Sequence, residues 1–273
     1  MKKAGLRFEW KDFFTIIVFS IMKLNIGREA MNNVQAHYEN LLAEHYTWMF
    51  GDYMSKVQDN ITFFQKQRIL PQGNTRSIDL GCGNGFQSIA LADIGFWVLS
   101  VDYSQLLLKE LETHRENRTI KTVQADLLNF NQYYFYDAPE VIICMGDTLT
   151  HLDSFDSIIT LLERVTTILD HGGRFIITYR DMTQELTGLD RFIPLRSDKT
   201  KIMTTFLEYQ PEYVVVHDLI YIKSNNNWDL HKSSYKKLRL NIIWLKEQFT
   251  TLGMNIEYEG TEQGFTILIA SKI

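Results

Sequence analysis

The chain changes its hydrophobic period several times, and each change marks a change of element. From residue 34 to about 49, and from 54 to about 68, apolar residues recur at three- and four-residue spacing, which predicts amphipathic helices. Pro71-Gln72-Gly73-Asn74 then interrupts with turn-forming residues. Beyond it, short apolar runs alternate with helical segments. Strands are predicted at 77–80, 97–101, 119–124, 141–145 and 174–179, with helices at about 86–93, 104–113 and 156–170 between most of them. Such alternation implies an α/β fold, a doubly wound and mostly parallel sheet with right-handed crossovers. After Tyr179 the period falls to two over 201–209, 213–223 and 232–240, with Asn225-Asn226-Asn227 at one turn, which predicts an antiparallel insertion. A helix over about 241–252, stopped by Gly253, leads into closing strands near 255–258 and 265–270.

Length and composition narrow this picture. At 273 residues the chain exceeds a typical single domain, so one domain carrying an insertion is expected: residues 34–273, with 34–70 as a helical cap and 196–240 as the insertion. The balance of 45% hydrophobic and 22% charged residues fits a buried core and argues against disorder. A formal charge of −5, with no Lys/Arg cluster, gives no attraction to phosphate backbones, so nucleic acid is a disfavoured partner. Cys82 and Cys144 lack the spacing of a zinc site or disulfide framework, which fits a reducing, cytoplasmic setting. Residues 1–33 form an extension whose apolar run, 13–22, follows Lys2, Lys3, Arg7 and Lys11 as in a secretory leader. Glu9 and Asp12 intrude on that charge pattern, no small-residue cleavage site follows, and the run falls short of the ~20 residues that span a bilayer, so no stable membrane association is expected. An extra amphipathic helix, or a start at Met22 or Met31, accounts for it equally well.

The chemical signal begins where the first strand runs into Asp79-Leu80-Gly81-Cys82-Gly83-Asn84-Gly85 and opens a helix. Glycines let backbone turn sharply and approach a ligand closely, while a helix N-terminus offers free N–H groups and partial positive charge. The same loop could cradle a dinucleotide pyrophosphate, fingerprint G-x-G-x-x-G, or be only a tight corner. Here the third glycine comes one residue early and Phe86 stands where that fingerprint wants glycine. The next strand ends in Asp102, about twenty residues on, where a ribose diol would meet a carboxylate. A third ends in Asp126-Leu127. Singly, such acids serve as solvated termini or caps; three at successive strand ends form a constellation.

This combination resembles motif I of class I S-adenosylmethionine-dependent methyltransferases, D-x-G-x-G-x-G. The resemblance implies a Rossmann-like, seven-stranded sheet in the order 3-2-1-4-5-7-6, with the antiparallel insertion after strand 5. It implies S-adenosylmethionine as cofactor, with S-adenosylhomocysteine as product, on Asp79, Gly81, Gly83 and Gly85. Asp102 would take the ribose, and Asp126 with the Leu127 N–H the adenine. The fourth strand ends in Met145-Gly146-Asp147-Thr148-Leu149-Thr150-His151-Leu152, not the Asn/Asp-Pro-Pro-Tyr/Phe of nucleobase or glutamine methyltransferases. It is similar instead to the Gly-Asn-Ser-x-x-His-Leu stretch of glycine N-methyltransferases and their sarcosine-forming relatives. That likeness extends to the run from His171 to Asp181 and to Tyr46-Thr47-Trp48-Met49-Phe50-Gly51-Asp52, and covers roughly residues 35–273.

Residue by residue, the resemblance places Met145 beside the cofactor, His151 at its methionine end, Tyr46 closing over it, and Lys56 near its carboxylate. Arg180 falls where the family's arginine holds a substrate carboxylate, a task suited to a guanidinium fork. Asp147 departs from the family asparagine, which puts glycine itself in question as acceptor; Asp147 or His151 could accept a proton. Each also has a plain structural reading: His151 as a cap or core histidine, Asp147 as a loop cap, Arg180 as a solvated charge, and Trp48, Met49 and Phe50 as core. The implied function is methyl transfer to a small-molecule amine by in-line attack, with cap and insertion as lid, no metal, and a homo-oligomer compatible with the pattern. The alternatives are O-methylation, a protein or RNA methyltransferase, and a cofactor-binding module without turnover.

Overall fold

The computed structural model describes residues 34–225 and 227–273; the apolar run at 13–22, the rest of the extension, and Asn226 of the asparagine turn lie outside the described residues. The cap starts as α1 (Val34–His37), passes through a π turn (Tyr38–Leu42) and a 3₁₀ turn (Ala43–His45), and resumes as α2 (Tyr46–Phe50). Helix α3 (Tyr53–Lys66) follows, its first turn capped by the Asp52 carboxylate, which accepts from the Ser55 N–H at 2.8 Å.

The expected alternation is then realised: β1 (Arg76–Leu80), α4 (Phe86–Asp93), β2 (Trp97–Asp102), α5 (Gln105–His114), β3 (Ile120–Gln124), β4 (Val141–Cys144), α6 (Phe155–Ile168) and β5 (Arg174–Tyr179). The insertion comprises β6 (Phe192–Ser197), β7 (Lys201–Tyr209), β8 (Tyr213–Ser224) and β9 (Asn227–Leu238), and α7 (Ile242–Thr251), β10 (Met254–Glu262) and β11 (Phe265–Lys272) close the chain. The main sheet runs β3-β2-β1-β4-β5-β11-β10, with β11 antiparallel to β5 and to β10. With β11 and β10 as strands seven and six, this is the expected order. The second sheet, β6-β7-β8-β9, is antiparallel throughout. Strand β6 was missed in the sequence because Pro194 interrupts its alternation; as the edge strand it has no ladder bond to lose on its open side.

The side chains of β1 alternate between two faces of the sheet. Ile78 and Leu80 join Leu99, Ile142 and the apolar stripe Ile158, Leu161, Leu162 and Val165 of α6. Val98, Ile143 and Ile176 face the other way, onto Val57 and Phe64 of α3 and Ile89 of α4. Asp79 belongs by parity to this second face and is paired in register with Ser100. Period-two geometry thus buries a carboxylate under α4. Among the described residues no helix is long and apolar enough to cross a membrane.

Candidate active site

A cavity of about 420 Å³ opens at the C-terminal ends of β1, β2, β3 and β4, and takes in the crevice between β1 and β4 where the strand order of a doubly wound sheet reverses. Its wall includes Gly81 and Gly83, Asp102 and Tyr103, and Asp126, Leu127 and Leu128; Tyr38, Tyr46 and His151 close its far end. Of the residues singled out in the sequence, Tyr46, Gly81, Gly83, Asp102, Asp126, Leu127 and His151 are brought together here. Tyr38, Tyr103 and Leu128 join them without having been foreseen.

Gly81 requires its residue type twice over: its φ is +71°, and an added Cβ would lie 2.2 Å from the Thr148 side chain. Gly83 donates its N–H to Asp102 Oδ2 at 2.8 Å, while Asp102 Oδ1 accepts from the Ser104 N–H at 2.8 Å. Those bonds use one lone pair on each oxygen and leave the others available to a diol. Burial pushes the Asp102 carboxyl up to about 6 despite these donors. Asp126 is exposed and caps a 3₁₀ turn through the Leu128 N–H at 2.8 Å.

The other predicted residues sit elsewhere. Gly85 turns its back on the cavity, and a Cβ there would meet Leu111 at 2.2 Å, so it serves helix packing. Asp79 lies beneath the loop, accepting from Ser88 Oγ at 2.6 Å, with Ser100 Oγ donating on to Ser88 at 2.8 Å; burial raises its carboxyl to about 7. Met145 packs among the apolar residues behind the loop. Lys56 pairs with Asp59 at 2.8 Å on α3 and is not part of the cavity wall.

Asp147 and Arg180 form a separate cluster with a residue the sequence did not suggest. Asp147 follows β4 in a left-handed conformation, φ +76°, and its carboxylate is buried. Oδ1 accepts from the Arg180 backbone N–H at 2.6 Å; Oδ2 accepts from Arg180 Nη1 at 2.5 Å and from Lys237 Nζ at 2.9 Å. Burial alone would raise this carboxyl, yet Lys237 and Arg180 override it and hold it well below the usual carboxylate range. Lys237 reaches in from β9 and is buried to 7% exposure, whereas Arg180, with its guanidinium 4.1 Å over the Phe265 ring, is exposed. No local motif could announce Lys237, because β9 returns to the site only through the insertion.

His151 is hemmed by Tyr38, ring centroids 5.9 Å apart, and by Tyr235 at 5.4 Å, and its Nε2 is buried with no hydrogen-bond partner. Burial, reinforced by Lys237, lowers its imidazole to about 3, so it is neutral through the physiological range. Burial raises the Tyr38 and Tyr46 hydroxyls above their ordinary values, and they too stay neutral. Neither Asp147, held between two cations, nor so weak a base as His151 suits the full acceptance of a proton.

Sheet order, glycine loop and acid-lined crevice together define a doubly wound domain built for a nucleoside-containing cofactor. A methyltransferase-domain family model matches residues 71–241. The chain belongs to this family, the class I S-adenosylmethionine-dependent methyltransferases. It is 31% identical over 160 residues to a glycine/sarcosine N-methyltransferase of Parasynechococcus marenigrum (strain WH8102), covering 56% of this chain and 55% of that protein. It is 29% identical over 156 residues to the glycine N-methyltransferase of Mus musculus, covering 49% of this chain and 51% of that one. The chain thus spans about half the length of the curated relatives it matches. An S-adenosylmethionine-dependent methyltransferase from Clostridium acetobutylicum ATCC 824 shares the fold, with a TM-score of 0.66, 16% identity, and coverage of 86% of this chain and 96% of that one.

Proposed function

We propose that this protein transfers a methyl group from S-adenosylmethionine to the nitrogen of a small, carboxylate-bearing amine. The observation that carries this reading is the adjacency of two sites: the crevice walled by Gly81, Gly83, Asp102 and Asp126, and the cationic pair Arg180 and Lys237 beyond His151. The donor set fits the cofactor. Asp102 keeps free lone pairs for a ribose diol, Asp126 and the Leu127 N–H are the groups offered to an adenine edge, and His151 lines the cavity on the side where the methionine portion would fall. When bound, the cofactor supplies an electrophilic methyl group on a sulfonium sulfur.

The chain's own residues have three tasks. Arg180 orients the acceptor through its carboxylate, using the fork nitrogens that Asp147 leaves over. Tyr38, Tyr46 and His151 exclude water from the line of attack and stay uncharged while doing so. The neutral His151 ring bounds the space beside the acceptor nitrogen without taking its proton. The amine therefore enters already unprotonated, and its proton is released to solvent after transfer.

The test is label transfer from methyl-labelled S-adenosylmethionine into a cell extract separated by size, with Asp102→Ala as control. Label in small molecules, lost in the control, supports the reading. Label in protein or RNA replaces it with a macromolecular methyltransferase, and binding without transfer replaces it with a non-catalytic module.

A further inference from the structure

The charge count around Asp147 has one cation too many for a simple ion pair. Arg180 and Lys237 both touch the same carboxylate oxygen, at 2.5 and 2.9 Å, and no second carboxylate meets either of them among the described residues. The uncharged neighbours add nothing: His151 is neutral, the Tyr46 and Tyr235 hydroxyls are held in their protonated form, chiefly by burial, and the nearby backbone contacts of the turn are the Gly146 N–H to Thr178 Oγ1 and the Asp147 N–H to the Thr178 carbonyl; the Asp181 carboxylate next along the chain turns to Thr183, and Asp218 to His37 and Thr205. The cluster therefore carries a net charge of +1. Its exposure is uneven, with the side chains of Asp147 and Lys237 at 4% and 8% and that of Arg180 at 44%. The surplus charge is presented outward by Arg180.

If Lys237 were absent, Asp147 would neutralise Arg180 and the pair would offer an anion nothing. Building on the N-methyltransferase reading above, we propose that Lys237 is a specificity-determining positioning residue: by neutralising Asp147 from the lid strand β9, it frees Arg180 to select an acceptor bearing one negative charge. Lys237 touches Asp147 and not the acceptor. The arrangement also ties acceptor choice to lid placement, because the balancing cation arrives only when β9 lies against the turn at residues 148–151. A lid that stands away leaves Arg180 spent on Asp147.

The test uses the full chain with glycine and glycinamide, which differ in the carboxylate, and compares wild type, Lys237→Met and the double variant Asp147→Asn/Lys237→Met. The single variant removes the surplus charge; the double variant removes one charge of each sign and restores it. Lys237→Met is expected to raise KM for glycine at least tenfold, leave KM for glycinamide and the Kd of S-adenosylhomocysteine within about twofold, and be rescued for glycine by the double variant. Equal effects on both acceptors, or no rescue, overturn the proposal. A second readout does not need turnover: sodium acetate, at constant ionic strength and with S-adenosylhomocysteine bound, should raise the Tm of wild type and the double variant above that of Lys237→Met. Wild type that methylates neither these amines nor any small molecule in the label-transfer test, yet shows this acetate pattern, sinks the N-methyltransferase reading and leaves the charge selection standing. Acetate acting alike on all three overturns the selection itself.

Discussion

Asp79, buried, and Asp102, half-buried, are carboxylates at adjacent strand ends on the same face of the sheet, and their surroundings divide their roles. Asp102 meets the Gly83 and Ser104 N–H groups and the cavity; Asp79 meets Ser88, under α4, through its hydroxyl and its backbone N–H. Its folded value of about 7 lies above the ordinary 3.8, so the folded state holds the proton more tightly than the unfolded chain. That preference contributes stability below about pH 4 and is lost as pH rises through 7. Asp79→Asn, neutral at every pH, is accordingly expected to be more stable than wild type at pH 8, by up to about 4 kcal/mol for a shift of roughly three pKa units. The gain should shrink toward zero as urea unfolding is repeated at pH values approaching 4. Asp102→Asn should instead weaken S-adenosylhomocysteine binding at least tenfold by calorimetry, since it exchanges two acceptor oxygens for one. For the reaction, His151 at about 3 and Asp147 lower still leave no side chain in the cluster to remove a proton near neutrality. The rise of kcat/KM with pH should therefore follow the amine pKa of whichever acceptor is supplied, and shift when an amine of different basicity replaces it. A limb fixed near one pH for all acceptors would point to a protein base.

Between elements, the glycine loop is gripped from three sides. Thr47 of α2 accepts from Asn84 Nδ2 at 2.7 Å and donates to the Glu110 carboxylate of α5, while the Tyr53 hydroxyl of α3 donates to the Asn84 carbonyl at 2.7 Å. Thr47→Val keeps the shape and removes both hydroxyl bonds, leaving a buried amide with a donor unmet. It should cost about 1–3 kcal/mol in unfolding experiments and raise the Kd for S-adenosylhomocysteine severalfold, because the loop loses its preset form. This level also shows what was legible in the sequence. The parallel strands, their helices and the loop were readable because each is written in a contiguous period or motif, as Ile158, Leu161, Leu162 and Val165 write α6. Residues 34–49 of the cap were expected as one helix, but a π turn and a 3₁₀ turn between Val34 and Phe50 re-aim the aromatic rings there, and the apolar period does not register so local a change of winding. Within the site, Gly81, Gly83 and Asp102 were legible as one local unit, whereas Tyr38 and Lys237 come from elements that meet only in the folded chain.

At the scale of the molecule, the cavity is not the property of the sheet alone. The sheet gives it a floor, the cap contributes Tyr38 and Tyr46, and the cap is fastened in turn to the antiparallel insertion. That fastening is a buried pair: His37, fully buried on α1, places Nε2 3.1 Å from Asp218 Oδ2 on β8, and Thr205 of β7 donates to Asp218 Oδ1 at 2.5 Å. The His37 ring also lies 4.3 Å from that of Tyr235, which leads on to His151. Removing one partner leaves a buried polar atom of the other without its contact, at a cost of about 1–3 kcal/mol. Asp218→Asn keeps a polar side chain of the same size and is the milder test. If the pair holds the cap in place, this variant should weaken cofactor and acceptor together, raising both the Kd for S-adenosylhomocysteine and the acceptor KM, since the displaced cap opens the wall on both. Lys237→Met, one element away on β9, should move the acceptor alone. Limited proteolysis separates the two further: bound S-adenosylhomocysteine should protect residues 34–50 in wild type and in Lys237→Met, and protect them less in Asp218→Asn. Equal protection in all three would mean that the cap is held by its apolar contacts to Met203 and Ile220, with the buried pair merely accommodated beside them.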